Sequence, residues 1–197
     1  MKRFGFRRAV IAATLAMTGV GAVSQAAPAL AEAPMEFGMK VGETVPAIEG
    51  TTQDGRPADF ASLKGEHGMV LAFFRSADWC PFCKKQLEDL NTVAPQLAAA
   101  GYPLVALSYD PVETLKRFSE KKALTYTLLS DPDSKVIDAF GVRNEEVLGN
   151  KRFNGIPHPV IYVISDTGVI EARFFERNYR NRPPASSVLE AVSALNQ

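Results

Sequence analysis

Cys80 and Cys83 are the only cysteines in the 197-residue chain, and they stand three apart in Asp78-Trp79-Cys80-Pro81-Phe82-Cys83-Lys84-Lys85. An apolar strand-like run precedes them and a helix-like run follows. The thiolate is the reactive form of cysteine, and the free amides and positive dipole end of a helix N-terminus lower a thiol pKa from its free value of about 8.5. A strand that delivers Cys-x-x-Cys to a helix start therefore builds a redox dithiol. As a mere staple the pair would do little, because so short a loop hardly constrains the unfolded chain. Leu87, Leu90, Ala94 and Leu97 recur at helical spacing, and four residues back from Leu87 is Cys83, on the same apolar face. Cys80 is then expected at the exposed helix edge. This divides the labour: Cys80 attacks a partner disulfide and Cys83 resolves the mixed disulfide. Trp79 would shield the pair and offer an apolar contact. Lys84 and Lys85 add positive charge, which Asp78 and Glu88 oppose.

Cys80, Cys83, His67 and His158 would make a four-ligand zinc site by count. Spacing argues otherwise, since there is neither a second Cys-x-x-Cys nor a closely spaced histidine pair, and His67 lies in a glycine-flanked turn. No metal and no cofactor are expected.

Before the pair, the continuous apolar run Met69 to Phe74 is of the kind found in strands buried on both faces. Pro81 suits a first helical turn, whereas Pro95 is expected to kink the helix near Asn91. Tyr102 to Ser108 is a second buried strand. Asp110-Pro111 can open a helix carrying Val112, Leu115 and Phe118, and Tyr126 to Leu129 follows as a short strand. Such alternation predicts an α/β domain with a parallel sheet and helices on both faces. Lys135 to Phe140 reads as a short helix stopped by Gly141. Val160 to Ile164 and Val169 to Phe175 are two strands about a hairpin signal at Ser165 to Gly168, which makes the sheet mixed. Pro183-Pro184 precedes a last amphipathic helix with Val188, Leu189, Val192 and Leu195 on one side.

The N-terminus carries an address. Lys2, Arg3, Arg7 and Arg8 precede an uninterrupted small and apolar run from Ala9 to Val23, and Ala29-Leu30-Ala31 offers a cleavage site. Residues 1–31 are expected to be a secretory signal and residues 32–197 one domain, exported to a periplasmic or extracellular space. The run is shorter than the roughly twenty residues of a membrane span, although an uncleaved anchor is the alternative. Arg7-Arg8 suggests a twin-arginine route, but Ala9-Val10-Ile11 lacks the Phe-Leu-Lys that usually follows. Removing the segment takes away four of 22 basic residues and none of 22 acidic ones, leaving 18 against 22, a net −4. Nothing in this balance points to nucleic acid. An oxidising compartment suits paired cysteines.

This order of elements, with Trp-Cys-x-x-Cys between the first central strand and its helix, resembles the thioredoxin fold. Val41-Gly42 through Pro46, Leu63-Lys-Gly65, Val70 to Phe74, Ser108-Tyr-Asp110, Leu128 to Asp133 and Phe140-Gly-Val142 look like the alkyl hydroperoxide reductase and thiol-specific antioxidant group, together with exported thioredoxin-like reductases. The resemblance implies a thioredoxin-like fold and a strand that opens on a cis-proline beside the active site. Pro159 is the expected cis residue, with Pro157 its rival, and His158 is near enough to tune the thiol.

The resemblance splits on mechanism. Peroxiredoxins of the group carry Pro-x-x-x-Thr-x-x-Cys, whose cysteine attacks peroxide. Counting back from Cys80 gives Ala77 and Phe73 where threonine and proline are wanted; counting back from Cys83 gives Cys80 and Ser76. Trp79-Cys80-x-x-Cys83 matches a thioredoxin-type dithiol without adjustment, though Pro81-Phe82 replaces the Gly-Pro of ordinary thioredoxin and bears on the redox potential. The expected function is therefore an exported thiol-disulfide oxidoreductase acting on protein or small-molecule disulfides and thiols with a separate redox partner. Peroxide turnover is expected to be slow, for want of a donor to polarise the O–O bond. The alternative is a peroxiredoxin-like thiol peroxidase using Cys80 or Cys83. A binding module without chemistry would have no use for the pair.

Overall fold

A computed structural model describes residues 37–178 and 180–196. The segment read as a signal lies outside the described residues. Chain contacts set off a compact unit from Met35 to Gln197.

The unit is built on a seven-stranded mixed sheet in the order β2-β1-β5-β4-β3-β6-β7. Its strands are β1 (Glu49–Thr52), β2 (Pro57–Asp59), β3 (Gly68–Phe73), β4 (Leu104–Ser108), β5 (Thr127–Ser130), β6 (Val160–Ser165) and β7 (Ile170–Phe175). β3, β4 and β5 run parallel, and antiparallel pairs extend the sheet at both sides. The helices are α1 (Phe60–Leu63), α2 (Pro81–Asn91), α3 (Ala94–Ala99), α4 (Val112–Lys122), α5 (Lys135–Ala139) and α6 (Ala185–Leu195). This is the α/β, thioredoxin-like arrangement anticipated. The β1–β2 hairpin and α1 have no counterpart in the sequence reading, because the Thr-Gln-Asp-Gly turn joins strands too short and polar to show period-two alternation.

β3 is buried at every residue, and its side chains alternate between two cores. Val70 and Ala72 join Leu87 and Leu90 of α2, Leu97 of α3, Leu115 and Phe118 of α4, and Val188 and Val192 of α6; both cysteines belong to this cluster. Met69, Leu71 and Phe73 face the other way, against Ile48, Phe140 and Tyr162. A strand covered on both faces gains nothing from polar alternation, which is why its sequence is continuously apolar.

Pro95 does more than kink. It falls in the first turn of a separate helix, so the chain makes α2, a break at Thr92 and Val93, then α3. Pro lacks the N–H and clashes with the carbonyl four residues back, and restarting the helix removes both costs. α5 ends where Gly141 takes φ +64°, as expected. In α6, Val188 and Val192 are buried whereas Leu195 is exposed.

Candidate active site

Cys80 occupies the N-cap of α2 with Pro81 next, and Cys83 lies one turn in. The two form a disulfide with Cα atoms 5.3 Å apart, inside the range such a bond requires. The Cys83 backbone N–H donates to Cys80 Sγ at 3.2 Å. Sulfur thus fills the capping role usually held by a serine or aspartate oxygen. One expectation is overturned: Cys80 is not exposed, having 1% of its surface accessible against 0% for Cys83. Cys80 belongs to the buried cluster with Phe74, Ala77 and Cys83, against which Trp79 packs. Phe82, between the cysteines, reaches solvent at 38%.

Asp110 braces the loop that delivers Cys80. Its carboxylate accepts from Ser76 Oγ at 2.8 Å, from the Ala77 N–H at 2.6 Å and from Ser108 Oγ at 3.1 Å. Ser76 Oγ in turn accepts from the Asp78 N–H at 2.9 Å. Burial pushes the Asp110 carboxyl above its ordinary range, and the three donors only partly offset this. The sequence predicts Asp110, with Pro111, as the opener of a helix. In the structure Pro111, whose side chain has no acceptor, stands at the N-cap of α4, and the Asp110 carboxylate is engaged by Ser76, Ala77 and Ser108 instead.

Trp79 is half-buried, packs against the cluster that contains both cysteines, and makes three further contacts. Its Nε1–H donates to Tyr109 Oη at 3.0 Å, its ring lies 4.7 Å from Phe153, and the Arg75 guanidinium stands 4.9 Å over the ring. Tyr109 Oη donates to the Arg152 carbonyl at 3.0 Å, which ties the 143–155 segment to the site. Lys84 Nζ binds the Asp78 carbonyl, while Lys85 pairs with Asp89 and points away.

His158 and Pro159 are less direct. The His158 ring packs on Phe37 at 4.6 Å, and burial lowers its pKa, an effect that Glu146 opposes and Arg75 reinforces. The described peptide bonds include no cis bond, so neither Pro159 nor Pro157 is the cis-proline expected. His158 N–H donates to the Val142 carbonyl, Asn144 N–H donates to the Ile156 carbonyl, and Arg143 bridges Pro157 antiparallel. These contacts lead the chain into β6. His67 is elsewhere, its ring 6.2 Å from Tyr102. Among the described residues no group of three His, Cys, Asp or Glu could hold a metal ion.

Arg182 was missed by the sequence reading. It precedes Pro183-Pro184 and places Nη2 3.7 Å from Cys83 Sγ. Burial, then the like charge of Arg75, brings its pKa down to about 10, so it stays a cation at neutral pH. The pair of prolines marks a fixed backbone, but nothing in the local sequence points that arginine 99 residues back to the cysteine. A surface cleft of about 930 Å³, lined in part by Pro46, Thr51, Asp59 and Lys135, includes none of these residues.

A Cys-x-x-Cys disulfide capping a helix beside a parallel strand of a thioredoxin-like sheet defines an oxidoreductase of the redoxin class. Residues 41–173 match the model of the AhpC/TSA family, and the chain belongs to that family. It is 34% identical to peroxiredoxin Bcp of Escherichia coli over 136 residues, covering 69% of this chain and 85% of that protein. Among solved structures, peroxidoxin BcpB of Mycobacterium tuberculosis superposes with a TM-score of 0.69 at 26% identity, covering 80% of this chain and 98% of the other. A peroxiredoxin-like protein of Aquifex aeolicus gives the same TM-score at 21% identity, which bears on the fold alone.

Proposed function

We propose that the protein is a thiol peroxidase that reduces hydrogen peroxide or an organic hydroperoxide through Cys80 and Cys83 and is regenerated by an external thiol. The observation that carries this reading is membership of the AhpC/TSA family, with 34% identity to a peroxiredoxin, around a chain whose one cysteine pair caps a helix in the fold's reactive position. It reverses the ranking drawn from Trp-Cys-x-x-Cys alone. In the reaction one thiolate attacks a peroxide oxygen: an S–O bond forms, the O–O bond breaks, sulfur loses two electrons and the departing alkoxide or hydroxide is protonated. The second cysteine attacks the sulfenic sulfur, which releases water and forms the Cys80–Cys83 disulfide. Two thiols of a reductant then restore both cysteines by exchange.

Disulfide exchange with other proteins is the second reading, favoured by the exposed Phe82 beside a Trp79-Cys80-x-x-Cys83 pair. Mixing reduced protein with peroxide in a stopped-flow instrument, with Trp79 as the fluorescent reporter, separates the two. A peroxidase oxidises in proportion to peroxide concentration and forms the disulfide once per peroxide consumed. No oxidation by peroxide, alongside ready reduction of a protein disulfide, would establish the exchange reading instead.

The reaction is proposed to take place outside the cytoplasm, on the strength of the basic, apolar and Ala-x-Ala features of residues 1–31. N-terminal sequencing of protein recovered from fractionated cells tests this. A product starting at Glu32 in the exported fraction is expected, and full-length protein confined to the cytoplasm would refute it.

A further inference from the structure

The segment that Tyr109 ties to the site ends in Asn154-Gly155, the only Asn-Gly pair in the chain. We propose that Asn154 is a site of spontaneous covalent modification: Gly155 closes a succinimide on its side chain with the help of Arg143, and the isoaspartyl product loosens the hold of Phe153 on Trp79. The reaction consumes only water and is independent of the peroxidase reading.

Asparagine is a chemically labile residue, and a glycine after it has no side chain to keep its nitrogen from the amide carbon. The fold requires glycine here. Gly155 takes φ +99°, and a Cβ on it would stand 2.5 Å from Ser134 Oγ. The Gly155 carbonyl accepts from the same Ser134 Oγ at 3.0 Å.

Asn154 is exposed, so water and hydroxide reach its amide. Its Oδ1 accepts from Arg143 Nη1 at 3.3 Å, and that nitrogen lies 3.6 Å from where a Cβ on Gly155 would be. The guanidinium is itself fixed, with Nε and Nη2 both bonded to the Asp138 carboxylate, the latter at 2.8 Å. Among the described residues nothing accepts from the Gly155 N–H. A fixed cation beside the amide oxygen and the glycine nitrogen favours the negative charge that develops on each as the ring closes. Other asparagines are engaged differently: Asn91 Oδ1 accepts from the Thr125 N–H, Asn144 Oδ1 from the Glu146 N–H and Asn150 Oδ1 from the Arg152 N–H. Each of these precedes a residue with a side chain.

In the reaction the Gly155 nitrogen gives its proton to hydroxide and bonds to Asn154 Cγ, the Cγ–Nδ2 bond breaks, and ammonia leaves with a proton from water. Water then opens the ring at either carbonyl. Cleavage of the new N–Cγ bond gives aspartate. Cleavage of the bond to the main-chain carbonyl instead leaves the chain running through Cβ and Cγ, one carbon longer. That carbon falls between two anchored points, since the Phe153 ring lies 4.7 Å from Trp79 and Gly155 is held by Ser134. Trp79 is the one tryptophan of the chain, so its emission reports the change.

The oxidised protein is held at mildly alkaline pH in native buffer and in urea. Peptide mass mapping locates conversion, and an isoaspartyl methyltransferase marks the iso product. In native buffer Asn154 is expected to convert ahead of every other asparagine, with a change in Trp79 emission that grows with the iso fraction and is absent from Asn154→Asp. Arg143→Gln is expected to slow native conversion by about threefold or more, less than the roughly 10²–10³ of a buried oxyanion donor because this contact meets solvent, and to alter nothing in urea. Should Arg143→Gln not fold, Arg143→Lys takes its place with the same expectation, since a point charge cannot fork between Asp138 and Asn154. Conversion of Asn154 in urea but not in native buffer, or earlier conversion elsewhere, would overturn the proposal. So would an Arg143 variant as fast as the unaltered chain, iso product accumulating under constant emission, or the same emission change in Asn154→Asp.

Discussion

Asp110 and Asp131 are two buried carboxylates at the ends of adjacent parallel strands, and they use the same chemistry for different ends. Asp131, just after β5, accepts from the backbone N–H groups of Lys135, Val136 and Ile137 at 2.8, 2.9 and 3.0 Å, all in the first turn of α5. Asp110, just after β4, accepts from two hydroxyls and the Ala77 N–H, none of them in the helix that follows it. In both, burial is the main influence and raises the carboxyl pKa, and the hydrogen bonds work against it. One carboxylate closes a local helix start. The other fastens the β3–α2 loop to β4 across 33 residues of sequence and so holds the strand-to-helix step from which Cys80 emerges. A buried carboxylate spent on a distant loop rather than on its own helix marks where the fold has to hold a functional group still.

The largest effect that can break this comparison is expected from Asp110→Ala. It leaves the Ala77 N–H and two hydroxyls without their acceptor in a buried site, costing on the order of 3 kcal/mol, since each unsatisfied buried donor costs about 1–3 kcal/mol. Urea unfolding of the oxidised protein should show that loss, and the reduced variant should react with peroxide more slowly because Cys80 is no longer held. Full peroxide reactivity in a folded Asp110→Ala protein would mean that the loop needs no brace.

Asp131→Ala is expected to cost less, about 1–2 kcal/mol, as for the loss of a helix cap, and to leave the thiol kinetics unaltered. Altered kinetics in this variant would erase the distinction between the two carboxylates.

A smaller and more specific effect concerns pH. Burial raises the folded-state pKa of Asp110 above its ordinary 3.8, so the folded chain binds this proton more tightly than the unfolded chain. Its contribution to stability is therefore complete below the ordinary carboxylate value and is lost as pH rises through the higher folded value. Asp131 acts in the same direction. Thermal unfolding followed across the acid range should show Asp110→Asn flattening this fall relative to the unaltered chain. An unchanged profile would place the Asp110 titration at its ordinary value.

The smallest effect is expected at the cover. Trp79→Phe keeps a ring against Phe153 and removes the donor to Tyr109, a change of about 0.5–1.5 kcal/mol. Near-ultraviolet circular dichroism and urea unfolding would measure it. A loss comparable with that of Asp110→Ala would move the main support of the site from the carboxylate to the aromatic contacts.

Much of this molecule could be read from the order of residues. The continuous apolar run of β3, the helical spacing of Leu87 and Leu90 behind Cys83, and the prolines and glycines at helix ends are local signals, and local physics dictates them: burial on both faces, a 3.6-residue period, a missing N–H. They suffice for the α/β layout and for the thiol pair at the head of α2. What sequence could not settle are the quantities set by residues far apart in the chain. Cys80 is buried in a cluster built from elements far apart in the chain, so position in the helix alone misjudged its exposure. Asp110 looked like the opener of its own helix until the fold brought Ser76 and Ala77 to it. Arg182 meets Cys83 only because α6 docks on the core that holds both cysteines, and spacing along a chain has no term for a charge carried in from the far end of the domain.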